Sequence, residues 1–200
     1  LIYPQPILSD IEFDTDGDML IGLMDRLGHQ TGEVNYSTSA ATTSFNFYDF
    51  TTGYTITPVT ITAGSTFEGA SAGDILRVCN VAGTFVLENN ATCGGITTGG
   101  AGSAPAQGPG GGEYYWQDMY AVSGNLNSGT HNEVTLGGLA LMPGADEIAV
   151  SVFDPFDIRS GGVAWFSNLT GARTRAFELF PRTDNASLFG KAAGIGDVEG

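Results

Sequence analysis

The stretch LSDIEFDTDGDMLIGLMDR, residues 8–26, decides the fold class. Two apolar segments of strand length flank a polar bend that contains Gly17. Short apolar runs bounded by turn residues are typical of antiparallel β-hairpins. A second stretch, LGGLALMPGADEIAVSVFDP at residues 136–155, repeats the pattern with one extra residue in its bend. The two copies predict a repeated β-sheet unit, as in the inner strands of propeller blades.

Similar short runs recur along the chain, and no window keeps the apolar spacing of a helix. We predict strands near residues 7–14, 19–26, 44–50, 54–62, 74–80, 84–89, 113–122, 134–142, 147–154, 162–168 and 175–180. The expected fold is all-β, either propeller-like or a related array of antiparallel sheets, in a single β-rich domain over residues 1–200. The opening LIYPQP and the closing GIGDVEG lack terminal elements, so an excerpt of a longer chain is expected.

The charge balance is strongly acidic, with 22 Asp and Glu against 7 Lys and Arg, and a formal net charge of −15. Phosphate binding needs clustered basic side chains, so this composition argues against nucleic acid and anionic lipid as partners. No apolar run reaches the ~20 residues that span a bilayer, so no membrane insertion is expected. The acidic surface favours divalent cations, cationic partners or simple solubility.

The two cysteines, Cys79 and Cys93, flank a strand-turn-strand pattern and could face each other across a hairpin. We predict a disulfide between them, the alternative being two unrelated buried thiols. A disulfide and a single lysine, Lys191, favour an extracellular, cell-surface location. Candidate glycosylation sequons occur at Asn35, Asn90, Asn168 and Asn185.

Three acidic residues, Asp14, Asp16 and Asp18, alternate through the first bend like the start of a calcium loop. The match to an EF-hand is poor, because the glycine falls at the fourth place and the twelfth place is Asp25 rather than Glu. The second copy, at residues 142–146, keeps the turn chemistry and loses the aspartates. The pattern therefore favours a hairpin tip, with calcium left open as a cofactor at these three carboxylates.

The segment from residue 93 to residue 113 is almost pure Gly, Thr, Ala and Pro and predicts a surface loop that is flexible or orders against a neighbour. An aromatic cluster follows at Tyr114, Tyr115 and Trp116. Such rings could stack on a glycan, and strand aromatics are also common in a protein core.

Catalytic signals are weak. Asp25 could orient His29 as in a catalytic dyad, but the sequence has no G-x-S-x-G elbow and no reactive-looking cysteine. His29 and His131 are therefore read as structural or surface residues, and the chain is expected not to be an enzyme. A hydrolase on a propeller scaffold is the least favoured alternative, since an acidic sequence offers many carboxylate pairs without distinguishing one.

Several stretches together resemble a region of large bacterial surface proteins: residues 6–32, 74–80, 83–102, 108–116 and the tail at 190–200. In that family the region is propeller-like and precedes serine–aspartate-repeat-type B domains of the Cna-B kind. The resemblance implies a secreted, surface-attached protein and assigns no catalytic residue. The expected function is an extracellular structural or adhesive module that assembles with copies of itself or with other surface-protein modules. The alternative is a calcium- or glycan-binding module.

Overall fold

The computed structural model describes residues 5–31, 35–36, 41–49, 55–67, 71, 73–102, 108–119, 133–142, 144–156, 160–181, 196 and 198. The strands are β1 (Pro6–Phe13), β2 (Met19–Asp25), β3 (Asn35–Tyr36), β4 (Thr43–Asp49), β5 (Thr55–Ile61), β6 (Thr66–Phe67), β7 (Asp74–Val81), β8 (Thr84–Leu87), β9 (Thr92–Cys93), β10 (Ile96–Thr97), β11 (Thr135–Leu141), β12 (Glu147–Phe153), β13 (Gly161–Ser167) and β14 (Arg173–Phe180). One short α-helix, α1 (Arg26–Thr31), follows β2, and a 3₁₀ turn lies at Pro109–Gly111.

The strands form two four-stranded antiparallel sheets. The first has the order β1-β2-β7-β8 and the second the order β11-β12-β13-β14. Three smaller ladders pair β3 with β6, β4 with β5, and β9 with β10. The all-β prediction, in its form of an array of antiparallel sheets, is confirmed. Over the described ranges the strands do not close into a barrel or a propeller ring.

The two repeated stretches each form the hairpin that opens one of the large sheets. β1 pairs with β2, and β11 pairs with β12, both antiparallel. The first strand of each hairpin is interrupted by a register shift, between Leu8 and Asp10 in one copy and between Thr135 and Leu139 in the other. A bulge bends its strand and redirects side chains, so each hairpin can meet the other at this point.

The two sheets contact each other at these irregular points, where β11 lies against β1 and β2. A Cβ atom on Gly22 would lie 2.0 Å from the carbonyl oxygen of Gly137, so only glycine permits this approach. The hydroxyl of Ser9 lies within hydrogen-bonding distance of two carbonyl oxygens, that of Gly22 at 2.9 Å and that of Gly137 at 3.0 Å. The carboxylate of Asp10 accepts the backbone N–H of Leu139 at 2.8 Å. Backbone contact therefore joins the sheets here, with no apolar layer between them.

The main apolar core fills the remaining space between the sheets. Its fully buried members include Leu20, Ile75, Tyr114, Tyr115, Val134, Leu139, Ile148, Val150, Val152 and Phe166. The two hairpins have equivalent sequence patterns, but their side chains are not buried to the same extent. Leu8, Ile11 and Phe13 of β1 are exposed, whereas Leu136 and Leu139 of β11 are buried. Both strands are edge strands of their sheets, but β11 lies against both β1 and β2 of the first sheet.

One predicted strand, at residues 113–122, is wrong. Its described part, 113–119, consists of turns and irregular backbone. Side chains of a half-buried strand alternate between faces, but the consecutive residues Tyr114 and Tyr115 are both fully buried. Residues 113–119, here called the core plug, fill the space between the sheets. Their aromatic composition had suggested an alternating strand.

The glycine-rich segment is not simply a surface loop. Cys93 and Thr98 are buried, and the hydroxyl of Thr98 donates to the carbonyl of Tyr114 at 2.9 Å. A Cβ atom on Gly100 would lie 1.9 Å from the carbonyl oxygen of Glu113. The small side chains let this backbone pack directly on the 113–119 segment.

The helix α1 was not expected from the sequence. Buried Asp25 begins it, because its carboxylate accepts the N–H groups of Leu27 at 3.0 Å and Gly28 at 3.2 Å. Among the described residues, none of the helical structure has the length and apolar character needed to cross a membrane.

The predicted disulfide between Cys79 of β7 and Cys93 of β9 is present, with the two Cα atoms 5.6 Å apart. β7 and β8 form the hairpin that the sequence pattern indicated. The bond fastens the start of the glycine-rich segment to the first sheet.

Replacing both cysteines, Cys79→Ala with Cys93→Ala, should lower the free energy of unfolding by about 3 kcal/mol, since the bond closes a loop of about 15 residues in the unfolded chain. Urea denaturation of the variant and of the oxidised wild type measures the difference. Equal midpoints would show that the bond contributes nothing to stability.

Candidate metal centre

Arg77 is the centre of a buried ionic network at one end of the first sheet. Its side chain lies on the inner face of β7 and is almost fully buried. One terminal nitrogen, Nη2, lies 2.5 Å from a carboxylate oxygen of Asp14 and 2.7 Å from one of Asp18. The other, Nη1, donates to the hydroxyl of Tyr115 at 3.2 Å. The guanidinium carbon lies 5.2 Å from the ring centroid of Tyr114, a cation–π distance.

This network settles what the aspartates of the first bend do. The second carboxylate oxygen of Asp14 accepts the backbone N–H groups of Asp16 and Asp18, each at 2.9 Å. The turn is therefore built by Asp14, as expected for a hairpin tip. Asp14 and Asp18 already face a fixed cation in Arg77, and the carboxylate of Asp16 is exposed. Calcium binding by the triplet stays a prediction, and this geometry leaves it no open set of three carboxylates.

Glu88 connects β7, the strand that carries Arg77, to the core plug. Its carboxylate accepts the backbone N–H of Arg77 at 2.9 Å and that of Tyr114 at 2.6 Å. Burial raises the pKa of Glu88 to about 7, although these two N–H donors lower it.

A second group of acids, here called the carboxylate cluster, consists of Asp74, Glu113, Asp118 and Glu133. One carboxylate oxygen from each of Asp74, Glu113 and Glu133 lies within 4.8 Å of the others. Asp118 provides the fourth carboxyl group and is 1% exposed. Neither of its oxygens has a hydrogen-bond donor in the described part of the chain, and the same holds for one oxygen of Glu113. Three carboxyl groups thus lie together next to that of Asp118, and the two buried members, Glu113 and Asp118, are shielded from water.

The protonation of the cluster reflects this crowding. Burial raises the pKa of Asp74 to about 7. Burial, followed by repulsion from the neighbouring acids, raises the pKa values of Glu113 and Asp118 well above their usual range. A proton shared between Asp118 and Glu133 or Glu113 would supply a hydrogen bond. In the absence of a proton or a cation, the cluster is a concentration of unbalanced negative charge.

The nearest buried arginine outside the Arg77 network does not neutralise the cluster through an ion pair. Arg173 donates to the backbone carbonyls of Met119, at 3.2 Å, and Pro155. Burial lowers the pKa of Arg173, and the charge of Asp118 partly opposes this. Among the described residues, no salt bridge joins Arg173 to the four acids.

The cluster is suited to a hard metal cation. Calcium binds oxygen ligands at about 2.3–2.6 Å, so oxygens on opposite sides of the ion are about 4.6–5.2 Å apart. The oxygens of Asp74, Glu113 and Glu133 lie within 4.8 Å of one another, close enough for one such ion to contact all three. Asp74 and Glu133 are partly exposed, which gives an ion an approach from solvent, while Glu113 and Asp118 are buried. Glu133 has a backbone φ of +62°, an unusual conformation for a non-glycine residue.

The aromatic residues predicted to bind glycans lie elsewhere than expected. Tyr114 and Tyr115 are 0% exposed, so neither ring can stack on a sugar, and this prediction is wrong for both. Trp116 is partly buried, and its ring nitrogen donates to the carbonyl of Thr170 at 3.2 Å. Its ring packs against Gly99, so this side chain also has a structural contact.

The remaining predicted residues are dispersed. Asp25 uses its carboxylate to cap α1, and burial lowers the pKa of His29 while Asp25 raises it. Asn168 is 8% exposed, and its carboxamide oxygen accepts the hydroxyl of Tyr115 at 2.8 Å, and glycosylation there stays a prediction. Asn90 is exposed. Of the other predicted residues, the side chain of Asn35 and the whole of His131 and Asn185 lie outside what is described.

Sequence reasoning missed the carboxylate cluster entirely. Its members lie at positions 74, 113, 118 and 133, with no spacing that matches a known metal loop. The only available signal was the large excess of acids in the whole chain. The cluster depends on long-range folding, which brings β7, the core plug and the approach to β11 together.

The fold and the site define a two-sheet, all-β domain with a buried carboxylate cluster. Proteins similar to the chain include three of Dictyostelium discoideum. It is 31% identical to Colossin-A over 206 residues, covering 98% of this chain and 2% of that protein. It is 24% identical to Colossin-C over 204 residues and 26% identical to Colossin-B over 201 residues, again over 98% of this chain. These alignments span 16% of Colossin-C and 4% of Colossin-B.

No family model matches the sequence, and no solved structure matches it. The similar proteins come from a eukaryote, so the resemblance to bacterial surface proteins with Cna-B-like domains is wrong. The expected role as a structural or adhesive module of a bacterial cell-surface protein is wrong for the same reason. The chain corresponds to a small part of each of these relatives.

Replacing Arg77 with methionine should lower the free energy of unfolding by about 3–5 kcal/mol, because it leaves Asp14 and Asp18 without their buried cation. Arg175→Met is the matched control, since Arg175 pairs with Glu147 at 2.9 Å on the surface. That change should cost no more than about 1 kcal/mol. Urea denaturation of both variants measures the two losses. Equal losses of unfolding free energy would contradict a special role for Arg77.

Stability in a metal-free buffer should fall as pH rises. The folded pKa values of Asp74 and Glu88 are about 7, above those of the unfolded chain, so the folded state binds more protons between about pH 4 and pH 7. We expect a loss of at least about 2 kcal/mol between about pH 5 and pH 7.5, measured by urea denaturation in EDTA.

His29 acts in the opposite direction, because its folded pKa is lowered. A His29→Gln variant should therefore lose more stability than the wild type over the same interval. Stability that stays level or rises in this variant would contradict the raised pKa values of the buried acids.

Proposed function

We propose that this domain is an extracellular, calcium-stabilised module in which Asp74, Glu113, Asp118 and Glu133 hold one Ca²⁺ ion. The ion would join β7 of the first sheet to the core plug and to the chain that enters β11 of the second sheet. Its role is to fix the arrangement of the two sheets.

The observation that carries the proposal is the carboxyl group of Asp118. It is 1% exposed, and in the described part of the chain no donor reaches either of its oxygens. Buried polar atoms are nearly always satisfied, and a buried carboxylate without a partner costs several kcal/mol. A cation bound among the four acids removes this cost directly.

The ligand set favours calcium over other metals. All four side chains offer oxygen, which suits calcium and magnesium better than the softer transition metals. Magnesium holds its oxygens at about 2.0–2.1 Å, so opposite ligands lie about 4.0–4.2 Å apart. Magnesium also demands a near-ideal octahedron and keeps several waters, whereas calcium accepts an irregular set of protein carboxylates. Carboxylates can bind calcium through one or both oxygens, so four of them supply enough ligands.

The extracellular setting is supported by the disulfide. The disulfide between Cys79 and Cys93 persists in an oxidising compartment. In that compartment a site with a dissociation constant of about 0.1–1 mM, typical of extracellular calcium modules, would be occupied. The excess of acids adds a long-range attraction for divalent cations.

A catalytic role is less well supported. The third alternative, a hydrolase, needs carboxyl groups that meet a substrate, but Glu113 and Asp118 are both 1% exposed. A polysaccharide cannot reach them. We therefore propose a binding and stabilising role, and assembly with further copies of the chain remains a separate prediction.

Calcium titration tests the proposal. In about 10 mM calcium the melting temperature should be higher than in EDTA by about 3–10 °C, as expected for a site of millimolar or tighter affinity. Isothermal titration of the metal-free protein should show one binding site. Magnesium at the same concentration should give a smaller shift.

The variant Asp118→Asn with Glu113→Gln separates this site from other acids. Neutralising two crowded carboxylates should raise the melting temperature in EDTA and abolish the response to calcium. Asp16→Asn, in the first bend, is the control and should bind calcium like the wild type. Loss of the response in the control alone, or an unchanged response in the double variant, would refute the cluster as the site.

A further inference from the structure

A cleft opens where the two repeated bends meet at one end of the molecule. Its volume is about 290 Å³. The bend between β1 and β2 forms one side, and the bend between β11 and β12 forms the other. The cleft thus exists only because the two hairpins are packed together, and it is separate from the carboxylate cluster.

The walls of the cleft are apolar and unusually exposed. Phe13 is 55% exposed, Met142 51% and Leu169 56%, and Ile96 also lines the cleft. When a ligand fills a concave apolar surface, the side chains that line it lose contact with water. Each Å² of apolar area buried in this way contributes about 25 cal/mol of favourable free energy. An apolar contribution to binding is therefore available.

The rim of the cleft is acidic. The lining includes Asp14, Asp16 and Asp146, against the single guanidinium of Arg77. Arg77 is neutralised within the protein by Asp14 and Asp18. Asp16 and Asp146 are exposed, and among the described residues no ion pair engages their carboxylates. The cleft therefore offers two negative charges beside an apolar wall.

We propose that this cleft binds a basic, apolar segment of a partner polypeptide, with an Arg or Lys side chain placed between Asp16 and Asp146 and a neighbouring apolar side chain against Phe13 and Leu169. The complementary charges select the partner, because the long stem of a basic side chain packs on apolar walls while its head meets carboxylates.

The size of the cleft supports a side chain rather than a whole small molecule. Pockets for small ligands range over about 300–1,000 Å³, so this cleft is just below that range. It holds one or two side chains of a chain that continues along the surface. The net charge of −15 attracts a basic partner from a distance, and salt weakens that attraction.

The test is an NMR titration of the ¹⁵N-labelled protein in calcium with the hexapeptide Gly-Leu-Arg-Leu-Arg-Gly. Chemical-shift changes should be confined to the two bends and to the residues near Leu169. The matched peptide with citrulline in place of each arginine keeps the shape and loses the charge. It should bind at least about fivefold more weakly.

Two protein variants locate the contact. Asp16→Asn with Asp146→Asn should weaken binding of the arginine peptide at least about fivefold. Glu147→Gln removes the next carboxylate along the chain, which pairs with Arg175 outside the cleft, and should leave binding unchanged.

The proposal fails on any of four results: no shifts at about 1 mM peptide, shifts mainly outside the bends, equal binding of the citrulline peptide, or equal binding by the double variant. Equally tight binding of free agmatine would also overturn it, since that result would indicate a site for small cations.

Discussion

The guanidinium of Arg77 organises one end of the domain, since it is buried and contacts both a bend and the core plug. It neutralises Asp14 and Asp18 and binds the hydroxyl of Tyr115. Its backbone N–H donates to Glu88, which also accepts from Tyr114. The first bend, β7 and the plug are thus held together by one cation and the acids around it.

The other acidic region differs because, in the described ranges, none of the salt bridges joins an arginine to Asp74, Glu113 or Asp118. Asp74 begins the same strand, β7, that carries Arg77, but its carboxyl group faces Glu113 and Glu133. A buried charge must be paired, protonated or bound to a metal. The Arg77 network uses the first of these solutions. For the buried carboxyl group of Asp118, which has no hydrogen-bond donor in the described part of the chain, protonation and metal binding are the other two solutions.

The hairpins could be predicted from the sequence because they depend on local pattern. Two apolar runs that flank a bend with Gly17 or Gly144 predicted each hairpin. The placement of Cys79 and Cys93 around a strand-turn-strand pattern predicted the disulfide. Their mutual contact could not be predicted. It depends on a bulge in each strand and on the close approach of Gly22 to Gly137, which no local pattern reveals.

The interior acids were unpredictable for a related reason. The sequence drew attention to Asp14, Asp16 and Asp18, whose spacing resembles a known loop, while Asp118 stands among aromatics that suggested a strand. The distant Arg77 turned the first set into a structural turn. Folding of the glycine-rich segment onto Glu113 buried the second set. In both cases a long-range contact, absent from any local window, decided the chemistry of the residue.

Anomalous diffraction at long wavelength from crystals grown in calcium tests the central claim most directly. One strong peak is expected between Asp74, Glu113, Asp118 and Glu133, with carboxylate oxygens about 2.3–2.6 Å from it. A structure in which these four acids surround no peak and hydrogen-bond to one another as protonated pairs would contradict it.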